Sequence, residues 1–577
     1  MHAAGNDQAS LAKPPVSHVA GPPIAEEAGQ GAQTIAGYLR EVTEKYGPRE
    51  AVVLRNRSHR FSWTYDDLFE HAMEVARALT AAGIGKGSRV GILMTNRPEF
   101  LSSLFGTALA GGVPVALSTF STPTEMDQLL KASEISLLLF EQHVLKKDFF
   151  VMIDGLEPAI GHGRPGHLGS ERYPYLRHLV SLPGILGDAD PLTSHEDGAV
   201  ERWDTFLARA KHVSEAAILA RADGVHPAET GGIFFSSGTT SLPKGIVHAQ
   251  RAFAIQWWRW PRIFAMTEPV RSWTGNGFFW SGNISMVVGT AFSTGGAVIL
   301  QRYFDAEEAL FLIEQEKVTF TSGRPHQWAR FQAASNWASA DLSSLKYVTR
   351  GEQIWEHPTV DTDWDVPMSF GTTETMTICT SRVAGVADEE YAGSMGEVLP
   401  GNTIKIVDPL TGAIMPLGEK GEMCIKGPTL MTGYLGKAPE ECFDAQGFYC
   451  SGDGGRIDAQ GRFYWDGRLT DMIKTGGANV APIEVDEVVG RYPGVKRVQT
   501  VGIPDDMLGE MVVTAIVPVD GTELDEKAVI GFCKEQIASF KVPRRVLFFT
   551  DEEMAVTGSE KVKPAVVKEL VSKRLES

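Results

Sequence analysis

The sequence predicts an α/β protein: a large N-terminal domain of parallel-sheet αβ subdomains with an added β-rich subdomain, then a small α+β C-terminal domain. Three observations carry that expectation. Apolar runs of strand length alternate with amphipathic stretches, the texture changes to short alternating segments from Gly393, and a polar, glycine-rich break falls near Thr470. A chain of 577 residues is also too long for one core.

Residues 1–33 are rich in Ala, Gly, Pro and Gln with little periodicity, and are expected to be a disordered leader. In "TIAGYLREVTEKYG", Ile35, Leu39 and Val42 share a helical face. "SRVGILM", "VPVALS" and "ISLLLF" then read as strands, with helices at "PEFLSSLFGTALAGG" and "PTEMDQLLKASE" between them. Such runs, apolar throughout, suit a parallel sheet covered on both faces. The same alternation returns at "AVILQ", "DAEEALFLIEQEKV" and "TFTSG". Between Lys146 and Ala228 the pattern weakens, and "GHGRPG" there lacks the preceding strand and following helix of a dinucleotide fingerprint, so it reads as a loop. The stretches Phe100 to Thr124 and Thr274 to Gln301 carry no charge. Both are diluted by Gly, Ser, Thr, Asn or Pro and break into helix-like and strand-like pieces, so they are expected to be buried elements, not integral membrane spans. The expected domains are 34–469 and 470–577.

With 54 basic against 72 acidic residues, a formal charge of -18 disfavours nonspecific attraction to nucleic acid or an anionic membrane. A small, solvated substrate fits better. The five cysteines show neither CxxC nor zinc-ligand spacing, and no disulfide framework is expected. No secretory signal opens the chain, which makes the cytoplasm the expected location.

The chemistry begins at "FFSSGTTSLPKG", Phe234 to Gly245, where hydroxyls, glycines and one lysine follow an apolar run. Backbone N–H groups in such a turn make an anion-binding concavity, and Lys244 adds charge. It is not a Walker A sequence, and on these residues alone a solvated Ser/Thr linker is an equal reading. In order along the chain then come "SFGTTE", "GFYCSGDGGRID", "DGRLTDMIKTGGANVAPIEVDEV" and "TGSEKVK". Taken together from about Thr34 to the C-terminus, this series resembles the AMP-forming adenylate synthetase superfamily of acyl-CoA synthetases, nonribosomal adenylation domains and luciferases.

The resemblance implies roles residue by residue. Ser236, Ser237, Gly238, Thr239, Thr240, Ser241 and Lys244 would hold the β and γ phosphates of ATP. In the segment Phe370, Gly371, Thr372, Thr373 and Glu374, the phenyl ring would lie against adenine, Thr373 would reach the α-phosphate, and Glu374 would help bind Mg2+. Asp453 would accept bonds from the ribose hydroxyls, assisted by Arg468. Lys561 would cross from a mobile small domain to neutralise charge on the α-phosphoryl group, with Lys563 a weaker alternative. A carboxylate attacking phosphorus brings anion to anion, so positioning and fixed positive charge carry most of the catalysis. Gly476 and Gly477 would let the pantetheine chain of CoA pass close to the backbone, and the small domain would pivot at Thr470.

The segment "FFWSGNIS" carries no carboxylate where amino-acid adenylating relatives place an aspartate, so an α-amino acid is disfavoured. Trp280 falls where acyl-CoA synthetases often place a gate to the acyl pocket, and Gly351 where the family lines it. An aromatic wall favours an apolar carboxylic acid. The chain ends shortly after Lys561, leaving no room for a fused carrier domain. Free CoA is therefore the expected thiol, with a separate carrier protein, or a nucleotide-binding relative without turnover, as alternatives. The sequence departs from the family pattern at Ser241, usually glycine; at Thr470, usually acidic or lysine; and at Ala555 and Glu560, usually proline and glycine.

Overall fold

The computed structural model describes residues 15–186, 198–236, 243–348, 352–385, 391–475, 478–505, 508–537, 541–554 and 564–576. Two large sheets form the N-terminal part. The first has eight strands, in the order Val200–Arg202, His178–Ser181, Leu137–Phe140, Arg89–Leu93, Val113–Ala116, Thr230–Ser236, Lys244–Ala249 and Gly433–Tyr434. Its first six strands run parallel and the last two pairings are antiparallel. The second has five strands, Phe320–Ser322, Arg271–Thr274, Ala297–Leu300, Glu50–Arg55 and Arg60–Thr64, with only the last antiparallel.

The helices that cover these sheets begin where the sequence provides caps. Thr64 and Thr122 each accept a bond from the third residue of the following helix, Asp67 and Glu125, whose carboxylates return it. Tyr65–Ala81, Pro98–Leu109, Gln250–Ile263 and Ser281–Phe292 share one hydrophobic cluster. The two uncharged stretches supply buried helices and strands of this core, and among the described residues no helix is long and apolar enough to cross a membrane.

The β-rich subdomain is a five-stranded antiparallel sheet of His18–Ala20, Thr403–Val407, Gly421–Lys426, Tyr449–Ile457 and Phe463–Arg468. Its first strand corrects the leader expectation. Residues 15–33 are folded: His18 to Ala20 pair with Lys405 to Thr403, and Glu27 is buried against Arg259. A three-residue strand gets its stability from ladder bonds to a distant partner, which local composition cannot signal.

A second correction concerns cysteine. Cys424 and Cys450 form a disulfide directly across the pairing of Gly421–Lys426 with Tyr449–Ile457. Only that register brings together two residues 26 apart in sequence. Cys379, Cys442 and Cys533 are free and buried. After the turn Leu469–Asp471, a separate sheet of Ala478–Val480, Ile473–Thr475, Gly509–Pro518, Val495–Asp505 and Arg545–Phe548 packs with the helices Pro482–Val489 and Glu526–Gln536.

Candidate active site

Ser236 ends one strand and Lys244 opens the next, and the two are antiparallel partners, so both ends of the segment expected to bind phosphate are fixed on the large sheet. Ser237, Gly238, Thr239, Thr240 and Ser241 lie outside the described residues. The Lys244 ammonium stands 5.5 Å from the centre of the Tyr434 ring. Tyr434 donates to Glu374 Oε1 at 2.9 Å, and its oxygen lies 3.0 Å from that of Tyr449. Since the Tyr434 proton is committed to the carboxylate, Tyr449 is the donor between the phenols. Burial and the neighbouring Glu374 push the Tyr434 phenol well up, which keeps it a donor.

Gly371 begins the turn that carries Thr372, Thr373 and Glu374. A Cβ there would sit 1.7 Å from the Thr377 carbonyl oxygen, so only glycine fits. His248 Nε2 donates to the Thr373 carbonyl at 2.8 Å, tying this turn to the strand that begins at Lys244. Burial presses His248 down to about 4, so the ring is neutral at physiological pH. The Glu374 carbonyl accepts from Met431 N–H at 2.7 Å, and among the described residues its side chain is held by Tyr434.

Phe370 meets Phe463 edge-on at 5.2 Å and Trp465 at 6.0 Å. Trp465 Nε1 in turn donates to Asp453 Oδ1 at 3.1 Å, and Arg468 Nε lies 3.2 Å from the same oxygen. Asp453 is 1% exposed, yet its Oδ2 has no hydrogen-bond partner among the described residues. A buried carboxylate oxygen without a donor is costly, and burial outweighs Arg468 in raising the Asp453 carboxyl. A ligand hydroxyl would supply the missing donor.

Trp280 caps the helix Ser281–Phe292, half-buried, with its ring 5.5 Å from Phe279, which meets Phe120 edge-on at the same distance. The loop before it follows the carboxyl end of the parallel strand Arg271–Thr274, where ligand crevices form in such sheets. Asn96 fixes that loop, donating to the Asn276 carbonyl at 2.9 Å and accepting from Phe278 N–H at 2.8 Å. Met376 shares a hydrophobic cluster with Phe278 and Phe279, so the aromatic group and the turn after Glu374 are parts of one core. Gly351 lies outside the described residues; beside it, burial pushes the Glu352 carboxyl up to about 7.

The structure thus joins Lys244, Phe370, Gly371 to Glu374, Asp453 and Arg468 through shared contacts. Sequence reasoning missed the residues that join them, Tyr434, Tyr449, Trp465 and His248. Alternation along "RFYW" could have flagged Trp465 as sharing a face with Phe463. Lys561, Gly476 and Gly477 lie outside the described residues, the glycines between the paired Thr475 and Ala478. Thr470 sits in the turn Leu469–Asp471, directly after Arg468 and Leu469. A cavity of about 740 Å³ elsewhere is lined by Glu268, Asp361, Asp363, Asp365 and one cation, Lys346, which pairs with Glu268, an acidic balance that does not favour a nucleotide.

The AMP-binding enzyme family matches residues 39–435, and the AMP-binding enzyme C-terminal domain matches 484–561. Among curated relatives, the indoleacetate–CoA ligase of Aromatoleum aromaticum is 29% identical over 89% of this chain and 94% of its own length. The human mitochondrial medium-chain acyl-CoA ligase ACSF2 is 27% identical over 91% and 86%. Among solved structures, the anthranilate CoA ligase AuaEII in complex with anthranoyl-AMP superposes with a TM-score of 0.75 at 21% identity, covering 95% of this chain and 98% of that one. ATP-bound MatB from Rhodopseudomonas palustris gives 0.73 at 22%, covering 93% and 98%. These two likenesses show that the chain shares the fold of those two structures.

Proposed function

The chain belongs to the AMP-binding enzyme family and is an AMP-forming ligase, and from that premise we propose that it activates a hydrophobic carboxylic acid with ATP and passes the acyl group to CoA. The acid's carboxylate attacks the α-phosphorus and pyrophosphate leaves; the thiol then attacks the acyl carbon and AMP leaves. The observation that carries the nucleotide assignment is Asp453 Oδ2, buried beside Trp465 and Arg468 with no donor among the described residues, where ribose hydroxyls would complete it.

Phe370 packs against adenine, Thr373 meets the α-phosphate, and Ser236 to Lys244 hold the outer phosphates. One carboxylate, Glu374, together with the phosphates suits Mg2+, a hard cation that keeps several waters and takes few protein ligands. When bound, that ion neutralises phosphate charge; Glu374 is kept in place for it by Tyr434. Lys561 arrives from the small lobe, which pivots at Thr470, and Gly476 and Gly477 line the pantetheine path. We place the reaction in the cytoplasm.

The aromatic group of Phe120, Phe279 and Trp280 supports an apolar acid, Gly351 being assigned to the acyl site by the family resemblance alone, and indoleacetate and medium-chain acids, named for two relatives, are of that kind. The test is AMP release across fatty, aromatic and polycyclic acids, with and without CoA. At least one apolar acid should give AMP that CoA stimulates. Background AMP across the whole panel contradicts the reading.

A further inference from the structure

We propose that Gln256 is a positioning residue for adenylation, holding the turn after Glu374 in the shape that presents Thr373 and Glu374 to ATP; the inference rests on the adenylation reading above. Met376 and Thr377 have φ of 47° and 93°, in the left-handed region, where a β-branched residue such as Thr377 is rare. Backbone held there persists only where its surroundings over-determine it, and such turns cluster at functional sites. The turn also folds back tightly enough that the Thr377 carbonyl fills the space a side chain at residue 371 would need.

Gln256 supplies the restraint. Its Nε2 donates to the carbonyls of Met376 and Ile378, both at 2.8 Å, and lies 3.4 Å from that of Thr375. Its Oε1 accepts from an Arg259 guanidinium nitrogen at 3.2 Å. Arginine only donates and carbonyls only accept, so the amide can face one way alone. Gln256 and Arg259 are three apart on the helix Gln250–Ile263 and lie on one face. Arg259 is fixed in turn by Glu27, with Nε to Oε1 at 2.7 Å and a terminal nitrogen to Oε2 at 2.8 Å, and by the Pro400 carbonyl at 3.0 Å. The side chains of this ion pair are 0% and 2% exposed, and Gln256 is fully buried. A carboxylate from the N-terminal segment, ahead of the family match, thereby orients an amide that sets the nucleotide-binding turn.

Gln256→Leu keeps the approximate size and removes the donors. In the full-length chain, ATP with Mg2+ is titrated calorimetrically, and steady-state kinetics use an acid turned over by the unaltered enzyme. The expected result is an ATP Kd and KM raised about tenfold or more, with the acid KM within about twofold. A folded Gln256→Leu protein with unaltered ATP affinity overturns the inference, whatever its melting temperature. If that variant does not fold, Glu27→Gln is read in the same way: a raised ATP KM with an unmoved acid KM supports the inference, and an unmoved ATP KM overturns it. Failure of the unaltered protein to bind ATP defeats the adenylation reading itself, and this inference with it.

Discussion

The proposed nucleotide wall of the large lobe and the junction with the small lobe both rely on charged and polar side chains, but burial separates them. At the wall, Asp453, His248, Gln256 and the Glu27–Arg259 pair are sealed from water and bonded to named partners. At the junction, Lys420, whose side chain is 59% exposed, lies 3.3 Å from Asp466 and equally far from Glu484, and Lys541 also pairs with Glu484. Removing one partner of a buried pair costs about 3–5 kcal/mol, because a charge is left stranded. An exposed pair contributes about 0–1 kcal/mol. The difference suits one lobe that grips and another that swings, the division of labour proposed above.

Breaking the wall should therefore have the largest effects. Gly371→Ala forces a Cβ against the Thr377 carbonyl, and we expect a loss of about 3 kcal/mol or more in urea unfolding together with loss of ATP binding. Next comes His248, which is held near 4 when folded against an ordinary 6.5. The unfolded chain takes up a proton that the folded one refuses, so stability is full above pH 6.5 and falls as pH drops toward 4, by roughly 3 kcal/mol. His248→Gln should make that part of the profile of urea midpoint against pH shallower, with a remaining slope from His178, which burial also holds near 4. An unchanged profile would show that His248 does not contribute to it.

Asp453→Ala removes the proposed ribose acceptor and should weaken ATP binding by about 1.5–3 kcal/mol, measured by calorimetry. The junction gives the smallest effect. Lys420→Ala should alter stability by less than about 1 kcal/mol, while changing the ratio of pyrophosphate exchange to thioester formation. If it instead destabilised the protein as much as a wall substitution, the contrast between the two regions would fail.

The parallel sheets were legible because their strands are apolar runs bounded by turns, and "SFGTTE" and "SGD" could be singled out as candidates because each lies in one short stretch of chain. What escaped was long-range. Cys424 faces Cys450, and Trp465 reaches Asp453, only after strands pair in a particular register. Glu27 reads as one carboxylate in a featureless segment, and its role depends on an arginine that is 232 positions away. His248 sits in an apolar strand and Gln256 in an apolar helix, and nothing local shows that each answers to a carbonyl of the turn after Gly371. Sequence patterns report burial and periodicity well, but polar satisfaction inside a core is a property of the assembled fold.

The central claim, that the small lobe delivers Lys561 to a carboxylate attacking ATP, is tested most directly by Lys561→Ala. Acid-dependent ATP–pyrophosphate exchange should fall by about a hundredfold or more, while transfer to CoA from supplied acyl-AMP stays within a few fold. Equal loss of both half-reactions, or exchange that survives intact, would contradict the account.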